Sequence, residues 1–320
     1  QSRRSPGSTI KPIVDYGPSL SRGFSYDSDL KNSTMSFGTN GYSPSNYGDY
    51  TSDKIPMYQA LENSYNIPAV WLLDQMGVSV GYDAAKKAGL PLTKSDKNLA
   101  LAIGGLKKGV TPLEMTQAYT SFANDGQMSK SHFITKIVDA SGKTIVQAKQ
   151  KHTRLWSRKV ANEMTSMMLG VYTHGTGASA DPAGYDVAGK TGTTEVSGTD
   201  STSDNATDSW AIAYTPDVVV TTWSGYDETD ASHTISAYLS QTSGPLMKTT
   251  LEQVIPNTEQ TKFKTKSVRS KMAATQDNKS TSQNGFKDNI NGIGDEIKQG
   301  ASSTWNNVKD GAQKAWSGIQ

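Results

Sequence analysis

Serine and lysine residues recur in three short motifs that could together form an acyl-enzyme. Ser8 and Lys11 form a Ser-x-x-Lys motif, Ser64 and Asn66 belong to a Ser-x-Asn motif, and Lys190 opens a Lys-Thr-Gly motif. A serine hydroxyl is a weak nucleophile until a base removes its proton. A lysine can act as that base only when burial or a nearby positive charge lowers its pKa. The ordered motifs therefore predict nucleophilic catalysis at a serine.

Each motif predicts a separate catalytic role. Because helix positions i and i+3 share a face, Lys11 is expected beside Ser8 and is the candidate base. Lys190 can supply the positive charge that lowers the pKa of Lys11. Ser64 can relay a proton to the leaving amine, and Asn66 can hold Lys11 or a substrate amide. We therefore predict these five residues to be catalytic.

Substrate binding is predicted along the segment that carries the Lys-Thr-Gly motif. Lys190 and Thr193 suit a substrate carboxylate, and the backbone N–H groups of Ser8 and Thr193 could form an oxyanion hole. Gly189 and Gly192 are expected to let a substrate backbone approach closely. The predicted substrate-binding residues are Thr191, Gly192 and Thr193.

Taken singly, the first two motifs are weak signals. A second Ser-x-x-Lys begins at Ser28, in a segment without a helical pattern, and a Ser-Asp-Asn begins at Ser203, after the Lys-Thr-Gly motif and therefore out of order. Lys-Thr-Gly occurs once. Order and local context therefore favour Ser8 and Ser64.

Helices are predicted around the first two motifs and again later in the chain. A helix begins near Ser8, and the clearest one has Thr111 as N-cap and Pro112 at its first position, and ends before Gly126. A further helical pattern is interrupted at Pro68. Apolar residues recur at helical spacing over residues 56–76, 77–91, 111–126, 158–172 and 236–254.

Strands are predicted mainly in the second half of the chain. Residues 186–195, 209–215 and 217–226 read as three successive strands, and residues 132–147 as a β-hairpin. Residues 21–55 read as an irregular loop. Helices followed by a strand meander indicate an α+β fold, with helices packed on an antiparallel sheet.

Composition limits the other classes of function. The 320 residues contain no cysteine, which excludes disulfides and thiolate chemistry, and four histidines without ligand-like spacing, so no metal or other cofactor is expected. A net charge of +2 argues against a nucleic-acid surface. No apolar run approaches the roughly 20 residues that span a bilayer.

The chain divides into three predicted regions. Residues 1–255 form the catalytic domain, residues 256–285 a disordered polar linker, and residues 286–320 a low-complexity tail with a weak amphipathic helical pattern. Glycines weaken that pattern. The tail is therefore either a helix that lies on a membrane or partner, or a poorly ordered segment.

The motifs and the segments around them resemble the penicillin-binding proteins of high molecular mass, class A and Gram-positive type. The resemblance covers roughly residues 1–255 and is carried by RSPGSTIKPIVDYGPSL, ENSYNIPAV, GVTPLEMTQAYTSFANDGQ, THGTG and AGKTGTTE, with DSWAIAYTPDVVVTTWSGYD after them. It implies a serine β-lactamase-like transpeptidase fold, in which helices flank the sheet and the nucleophile helix is buried in the middle.

The resemblance also implies an activity and a location. Ser8 would attack the D-Ala-D-Ala end of a peptidoglycan stem peptide, release D-Ala, and pass the acyl group to a neighbouring amine; β-lactams would acylate the same serine. The enzyme would work on the outer face of the bacterial cytoplasmic membrane. Class A members carry a membrane anchor and a glycosyltransferase domain upstream. Because Gln1 lies only seven residues before Ser8, we expect a C-terminal fragment that lacks the anchor and the N-terminal strands of the sheet, with an exposed sheet edge.

Three alternative functions use the same motifs. A D,D-carboxypeptidase would use water as the acceptor, and a non-catalytic sensor or binding module would only be acylated by penicillin. A β-lactamase needs a glutamate with a nearby asparagine between the second and third motifs. No Glu-x-x-x-Asn occurs there, and the spacing from Glu62 to Asn66 falls on the second motif itself.

Overall fold

The computed structural model describes residues 2–38, 41–196, 204–228 and 233–275. It contains two units, Gln1–Val268 and Arg269–Gln320. Of the second unit, residues 269–275 are described, and they are helical. The motifs all lie in the first unit, to which the following description applies.

Three antiparallel strands form the centre of the first unit. The middle strand β8 (Asn205–Tyr214) pairs with β7 (Ala188–Glu195) on one edge and with β9 (Val219–Gly225) on the other, where the short β10 (Ile235–Ser236) also joins. The second edge of β9 has no partner strand among the described residues. The three predicted strands and the α+β class are thus confirmed.

A buried helical run lies against this sheet. It consists of a 3-10 turn (Gly7–Ile10), a π turn (Pro12–Tyr16) and the short α1 (Gly17–Leu20). Every residue from 9 to 20 is buried. The predicted helix at Ser8 is confirmed, with a tight 3-10 turn at its start.

Six longer helices surround the sheet and the helical run. The best-specified one, α5 (Pro112–Ala123), has the predicted Thr111 N-cap. The Thr111 hydroxyl accepts from the Glu114 N–H, and the Glu114 carboxylate accepts from the Thr111 N–H, which completes a capping box. The bounds of the six helices are α2 Met57–Glu62, α3 Asn66–Met76, α4 Val78–Lys87, α5 Pro112–Ala123, α6 Arg158–Thr173 and α7 Ser243–Val254. The α6 helix packs on β7, and α5 and α7 pack on β9.

The interruption expected at Pro68 is wrong. Pro68 lies in the first turn of α3, where its missing N–H is not needed. The break between α2 and α3 falls instead at Ser64, whose φ of 59° is left-handed. Left-handed backbone is uncommon outside glycine, and here it places the second motif in the turn between two helices.

The loop expected over residues 21–55 is also wrong in part. It contains β1 (Asp29–Asn32), which pairs with β2 (Ser52–Pro56). Two further small sheets pair β3 (Gln127–Ser129) with β6 (His152–Arg154), and β4 (Lys136–Val138) with β5 (Thr144–Gln147). The β4–β5 pair confirms the predicted hairpin.

Beyond α7 the chain continues along the first unit. The ring of Phe263 meets that of Tyr214 edge to face at 5.9 Å, and Val268 is buried. The domain limits at residues 255 and 285 stay predictions, and the tail over residues 286–320 lies outside the described residues. Within the described ranges, no helix is both long and apolar enough to cross a bilayer.

Candidate active site

A cavity of about 500 Å³ lies between the helical run and β7. Parts of all three motifs meet on its walls, although they are up to 184 residues apart in sequence (8 to 192). The motif residues that line it are Ser8, Ser64, Asn66, Thr191 and Gly192, and Thr193, which follows the third motif, lines it as well.

The segment before Ser8 is tied to the sheet. Arg4 donates from Nε to Asp208 at 2.7 Å, and the Asp208 carboxylate is almost fully buried. The backbone oxygen of Ser5 accepts a hydrogen bond from the indole of Trp210 at 2.8 Å. Gly7 has a φ of +50°, and a Cβ there would lie 2.8 Å from the Thr193 oxygen. Only glycine therefore fits at position 7, where the backbone packs against β7.

Ser8 is half-buried and lines the cavity. Its hydroxyl makes no hydrogen bond with any residue that the structure describes, and in particular none with Lys11. The candidate base Lys11 is therefore not hydrogen-bonded to Ser8 in this structure. Catalytic hydrogen bonds often close only when substrate is bound.

The Lys11 amine is fully buried and faces the second motif. It donates to the backbone oxygen of Ser64 at 2.7 Å, to that of Tyr65 at 3.2 Å, and to Oδ1 of Asn66 at 2.7 Å. Burial lowers the pKa of Lys11 to about 7, although the negative charge of Asp15 acts in the opposite direction. A substantial fraction of the amine is therefore neutral, and able to accept a proton, at pH 7.

Asp15 is a buried acid that the sequence reasoning missed. It lies four residues after Lys11 in the helical run, and both of its carboxyl oxygens lack a hydrogen-bond partner among the described residues. Burial raises the pKa of Asp15 well above its ordinary value, and the Lys11 charge opposes that rise. The available signal was an acid inside an otherwise apolar stretch one turn after the candidate base.

Lys190, like Lys11, contacts Ser64. Its amine is fully buried and donates to the Ser64 hydroxyl at 2.8 Å and to the Thr191 oxygen at 3.0 Å. Burial, and next the charge of Lys11, lower the pKa of Lys190 well below the ordinary value. The repulsion between two amines is mutual, but burial is the main cause of the low pKa of Lys11, so the role expected for Lys190 is at most secondary.

Ser64 joins the two lysines. Its hydroxyl accepts from Lys190 while its backbone oxygen accepts from Lys11. Ser64 lines the cavity and occupies the left-handed turn between α2 and α3. The predicted meeting of the three motifs is therefore present around this serine.

Asn66 is held in place by a second asparagine. The side chain of Asn46 accepts the backbone N–H groups of Asn66 and Ile67 at 2.8 and 3.0 Å, and donates to Asn32 at 2.7 Å. Asn46 is buried and therefore fixes the start of α3 relative to β1. Sequence reasoning missed it because it lies in the segment expected to be a loop.

The glycines of β7 serve packing. A Cβ at Gly192 would lie 2.7 Å from the Pro6 oxygen and 2.9 Å from Cγ2 of Thr9. A Cβ at Gly189 would collide with the Ile212 oxygen at 1.9 Å. The expectation that Gly189 admits substrate is wrong, because its space is filled by β8. Gly192 does line the cavity, and it also lets β7 approach the helical run.

Comparison with known proteins agrees with this arrangement. Residues 1–252 match the family model of the penicillin-binding protein transpeptidase domain. The chain belongs to this family. It resembles class A penicillin-binding proteins of Gram-positive bacteria, as the motifs predicted.

Two curated relatives of this transpeptidase domain illustrate the match. Penicillin-binding protein 2a of Streptococcus pneumoniae is 38% identical over 335 residues, which include 100% of this chain and 44% of the relative. Penicillin-binding protein 1F of Bacillus subtilis is 39% identical over 235 residues, or 73% of this chain and 32% of the relative. The chain thus spans less than half the length of these relatives.

Solved structures show the same fold at lower identity. The penicillin-binding protein PonA1 of Mycobacterium tuberculosis matches 82% of this chain and 72% of its own, with a TM-score of 0.72 and 23% identity. The imipenem acyl-enzyme complex of penicillin-binding protein A from M. tuberculosis matches 79% and 60%, with a TM-score of 0.63 and 21% identity. The serine β-lactamase-like transpeptidase fold is therefore confirmed.

Proposed function

We propose that this domain is a peptidoglycan D,D-transpeptidase that cross-links stem peptides through an acyl-enzyme on Ser8. Membership of the transpeptidase family supports acyl transfer and a role in peptidoglycan synthesis. The observation that carries the acyl-enzyme on Ser8 is the convergence of Lys11 and Lys190 on Ser64, beside the cavity that Ser8 lines. The similarity to class A relatives favours an amine acceptor over water.

Acylation begins with proton transfer from the Ser8 hydroxyl to the neutral amine of Lys11. The serine oxygen bonds to the carbonyl carbon between the two D-Ala residues, and the C–N bond breaks. Ser64 passes its proton to the leaving amine, so D-Ala departs with a neutral nitrogen, and Ser64 is reprotonated with the proton that Lys11 took from Ser8. Lys11 is then neutral again. The acceptor amine attacks the ester and loses a proton to Lys11, and Lys11 returns that proton to the Ser8 oxygen as the ester bond breaks.

The donor peptide is held by its carboxylate. Lys190 and Thr193, with Thr191 and Gly192 beside them, are the proposed binding groups, and the N–H groups of Ser8 and Thr193 are the proposed oxyanion hole. Burial disfavours the charged form of Lys190. A bound carboxylate supplies an opposite charge, so it favours protonation of Lys190 at the moment of binding.

The proposed partners and location are those of the family. The partners are stem peptides with a D-Ala-D-Ala end, amine acceptors and β-lactams. The proposed location is the outer face of the bacterial cytoplasmic membrane. A membrane anchor in a longer protein belongs to the same proposal. Support comes from the penicillin-binding proteins among the relatives and from acyl-enzyme complexes among the structural neighbours.

The test is intact-mass spectrometry after exposure to a penicillin, followed by peptide mapping. One adduct is expected on the peptide that contains Ser8, and none in Ser8→Ala. Incubation with a D-Ala-D-Ala donor and an amine acceptor should then give a cross-linked product. Hydrolysed donor alone would show a carboxypeptidase, and a stable adduct without turnover of donor would show a binding module. An adduct elsewhere would remove Ser8 from the mechanism.

A further inference from the structure

The strands β4 and β5 belong to a two-stranded ribbon, residues 130–151, that continues the β3–β6 pair. Its strands are joined by backbone hydrogen bonds from Lys130 to Lys151 at 2.8 Å and from Ala148 to Thr135 at 2.9 Å. β3, at the base of the ribbon, packs on α5. Of the 22 residues of the ribbon, all except Asp139 and Ala148 are exposed. The described part of the chain therefore covers neither face of the ribbon.

Large apolar side chains occupy both faces of the ribbon. Ile137 and Val146 pair across it and share one face, and their neighbours Val138 and Ile145 lie on the other, because successive residues of a strand alternate. Exposed apolar clusters mark interaction sites, and an isolated two-stranded hairpin is only marginally stable in water. The large apolar side chains of the ribbon are 43–84% exposed, and they are Phe133, Ile134, Ile137, Val138, Ile145 and Val146.

The ribbon is also strongly basic. Five lysines and one aspartate give it a net charge of +4. The Asp139 carboxylate accepts hydrogen bonds from Ser141 and Lys143 in its own turn. The lysines are exposed, and none of them forms an ion pair with a residue that the structure describes. They are Lys130, Lys136, Lys143, Lys149 and Lys151.

An anionic lipid surface matches the charge and the apolar side chains together. A soluble polyanion would neutralise the lysines but leave the apolar side chains in water, and a docked protein surface would cover one face of so thin a ribbon. A ribbon within the headgroup region of a bilayer has lipid against both faces, and lysine side chains are long enough to keep their ammonium groups among the phosphates. The outer backbone edges of the ribbon need water or headgroups as partners, so the insertion is shallow.

We propose that the ribbon binds anionic phospholipid at a membrane surface, with its apolar side chains in the interface and its lysines against the phosphate groups. The domain then has a membrane contact of its own. Lipid binding needs no acyl-enzyme, so this inference and the transpeptidase proposal can each fail without the other.

A label on the ribbon tests its contact with lipid directly. The chain contains no cysteine, so a single introduced thiol takes an environment-sensitive fluorophore at a chosen position. Ile145→Cys reports the ribbon, and Leu246→Cys on α7 is the matched control, since the two side chains are 63% and 55% exposed. With vesicles of phosphatidylcholine and phosphatidylglycerol, the emission of the label at position 145 should shift to the blue, and that at position 246 should not. Vesicles of phosphatidylcholine alone should give no shift at either position.

Cosedimentation of the 320-residue chain with the same vesicles tests the role of the charges. Lys136→Gln/Lys149→Gln should weaken binding to the anionic vesicles about 25-fold, at about fivefold for each lysine. Lys86→Gln/Lys87→Gln, in exposed positions of α4, is the control and should leave binding within about twofold. Added salt should weaken the binding of the unchanged chain, because it screens exposed charges. The far-UV circular dichroism of every variant should match that of the unchanged chain, since all the replaced side chains are exposed.

Equal shifts of the labels at positions 145 and 246 would overturn the inference, because the lipid contact would then not be specific to the ribbon. Equal binding by the unchanged chain and Lys136→Gln/Lys149→Gln would also overturn it. So would a failure to bind either kind of vesicle. A dimer that dissociates on Ile137→Ser/Val146→Ser, measured by analytical ultracentrifugation, would then replace lipid by a second copy of the chain as the partner of the ribbon.

Discussion

The pH dependence of Ser8 acylation tests the proposed base directly. With a pKa of about 7 for Lys11, the neutral fraction of the amine is about 1% at pH 5, about 50% at pH 7 and about 99% at pH 9. The acylation rate is therefore expected to rise about 50-fold from pH 5 to 7 and only about twofold from pH 7 to 9. A lysine with its ordinary pKa would instead give a tenfold rise per pH unit across the whole range.

Asp15 provides a second perturbation with a predicted sign. Its charge raises the pKa of Lys11, so Asp15→Asn should move the acylation midpoint to lower pH. Helix neighbours four residues apart have Cβ atoms about 5–6 Å apart. An effective dielectric constant of about 20 then gives roughly 3 kcal/mol, or about 2 pKa units, as an upper limit. Burial raises the pKa of Asp15 itself and so opposes its charged form, which means that a shift smaller than this upper limit is expected.

The assay is the second-order rate of acylation by a fluorescent penicillin, measured from pH 5 to 9 in both proteins. Asp53→Asn, an exposed acid that does not line the cavity, is the control and should leave the midpoint unchanged. A flat profile in the unchanged protein would refute Lys11 as the titrating base. A midpoint that moves upwards in Asp15→Asn would refute the electrostatic reasoning.

Two further substitutions test the packing around the site. Gly192→Ala should slow acylation at least tenfold, because the new methyl lies 2.7 Å from the backbone oxygen of Pro6. Gly184→Ala is the control and should leave the acylation rate unchanged, because open space surrounds position 184 and the substitution adds only backbone strain. Equal acylation rates in the two variants would contradict the packing argument. Arg4→Ala should lower the free energy of unfolding in urea by about 3–5 kcal/mol, because it leaves the buried Asp208 carboxylate without its cation. Arg3→Ala, which removes an ion pair with side chains 40% and 24% exposed, should cost less than about 1 kcal/mol, so equal losses would argue against a buried charge at Asp208.

The sequence predicted those parts of the fold that depend on local signals. The α5 helix was predicted in full because Thr111, Pro112 and Gly126 define its ends through neighbouring backbone atoms. The three main strands and the hairpin were predicted from alternation and turn residues. These features require no knowledge of what the segments pack against.

The features that were not predicted from the sequence depend on contacts between residues far apart in the chain. The pairing of β1 with β2 joins residues at least 20 positions apart (32 to 52), within a segment rich in glycine, serine and tyrosine that shows no alternation. The role of Asn46 in holding Asn66 is evident only from its hydrogen bonds to Asn66 and Asn32 in the structure. For the site, motif order identified which residues meet at the cavity, and the contact expected between Asn66 and Lys11 is present. It did not reveal that the backbone oxygens of Ser64 and Tyr65 also accept from Lys11, or that Ser8 does not bond to it.

The break at Ser64 shows why a local rule fails at this site. Proline is the usual helix breaker, yet Pro68 is accommodated in a first turn, and a serine with left-handed backbone ends α2. Such backbone costs of order 1–3 kcal/mol and persists where surrounding contacts hold it. Here those contacts are the two lysine amines, which bond to the hydroxyl and to the backbone oxygen of the same residue.

The two lysines are an arrangement that packing alone would not favour. Burial lowers the pKa of both amines, and the charge of Lys11 adds to the effect at Lys190, so each would be easier to protonate in water than inside the fold. For Lys11, the change from 10.5 to about 7 corresponds to about 5 kcal/mol. That free energy makes the Lys11 amine a base at neutral pH. In the mechanism that we propose, a donor carboxylate at Lys190 offsets part of the cost of burying that second amine. Donor binding would then be coupled to the proton transfer that Lys11 performs.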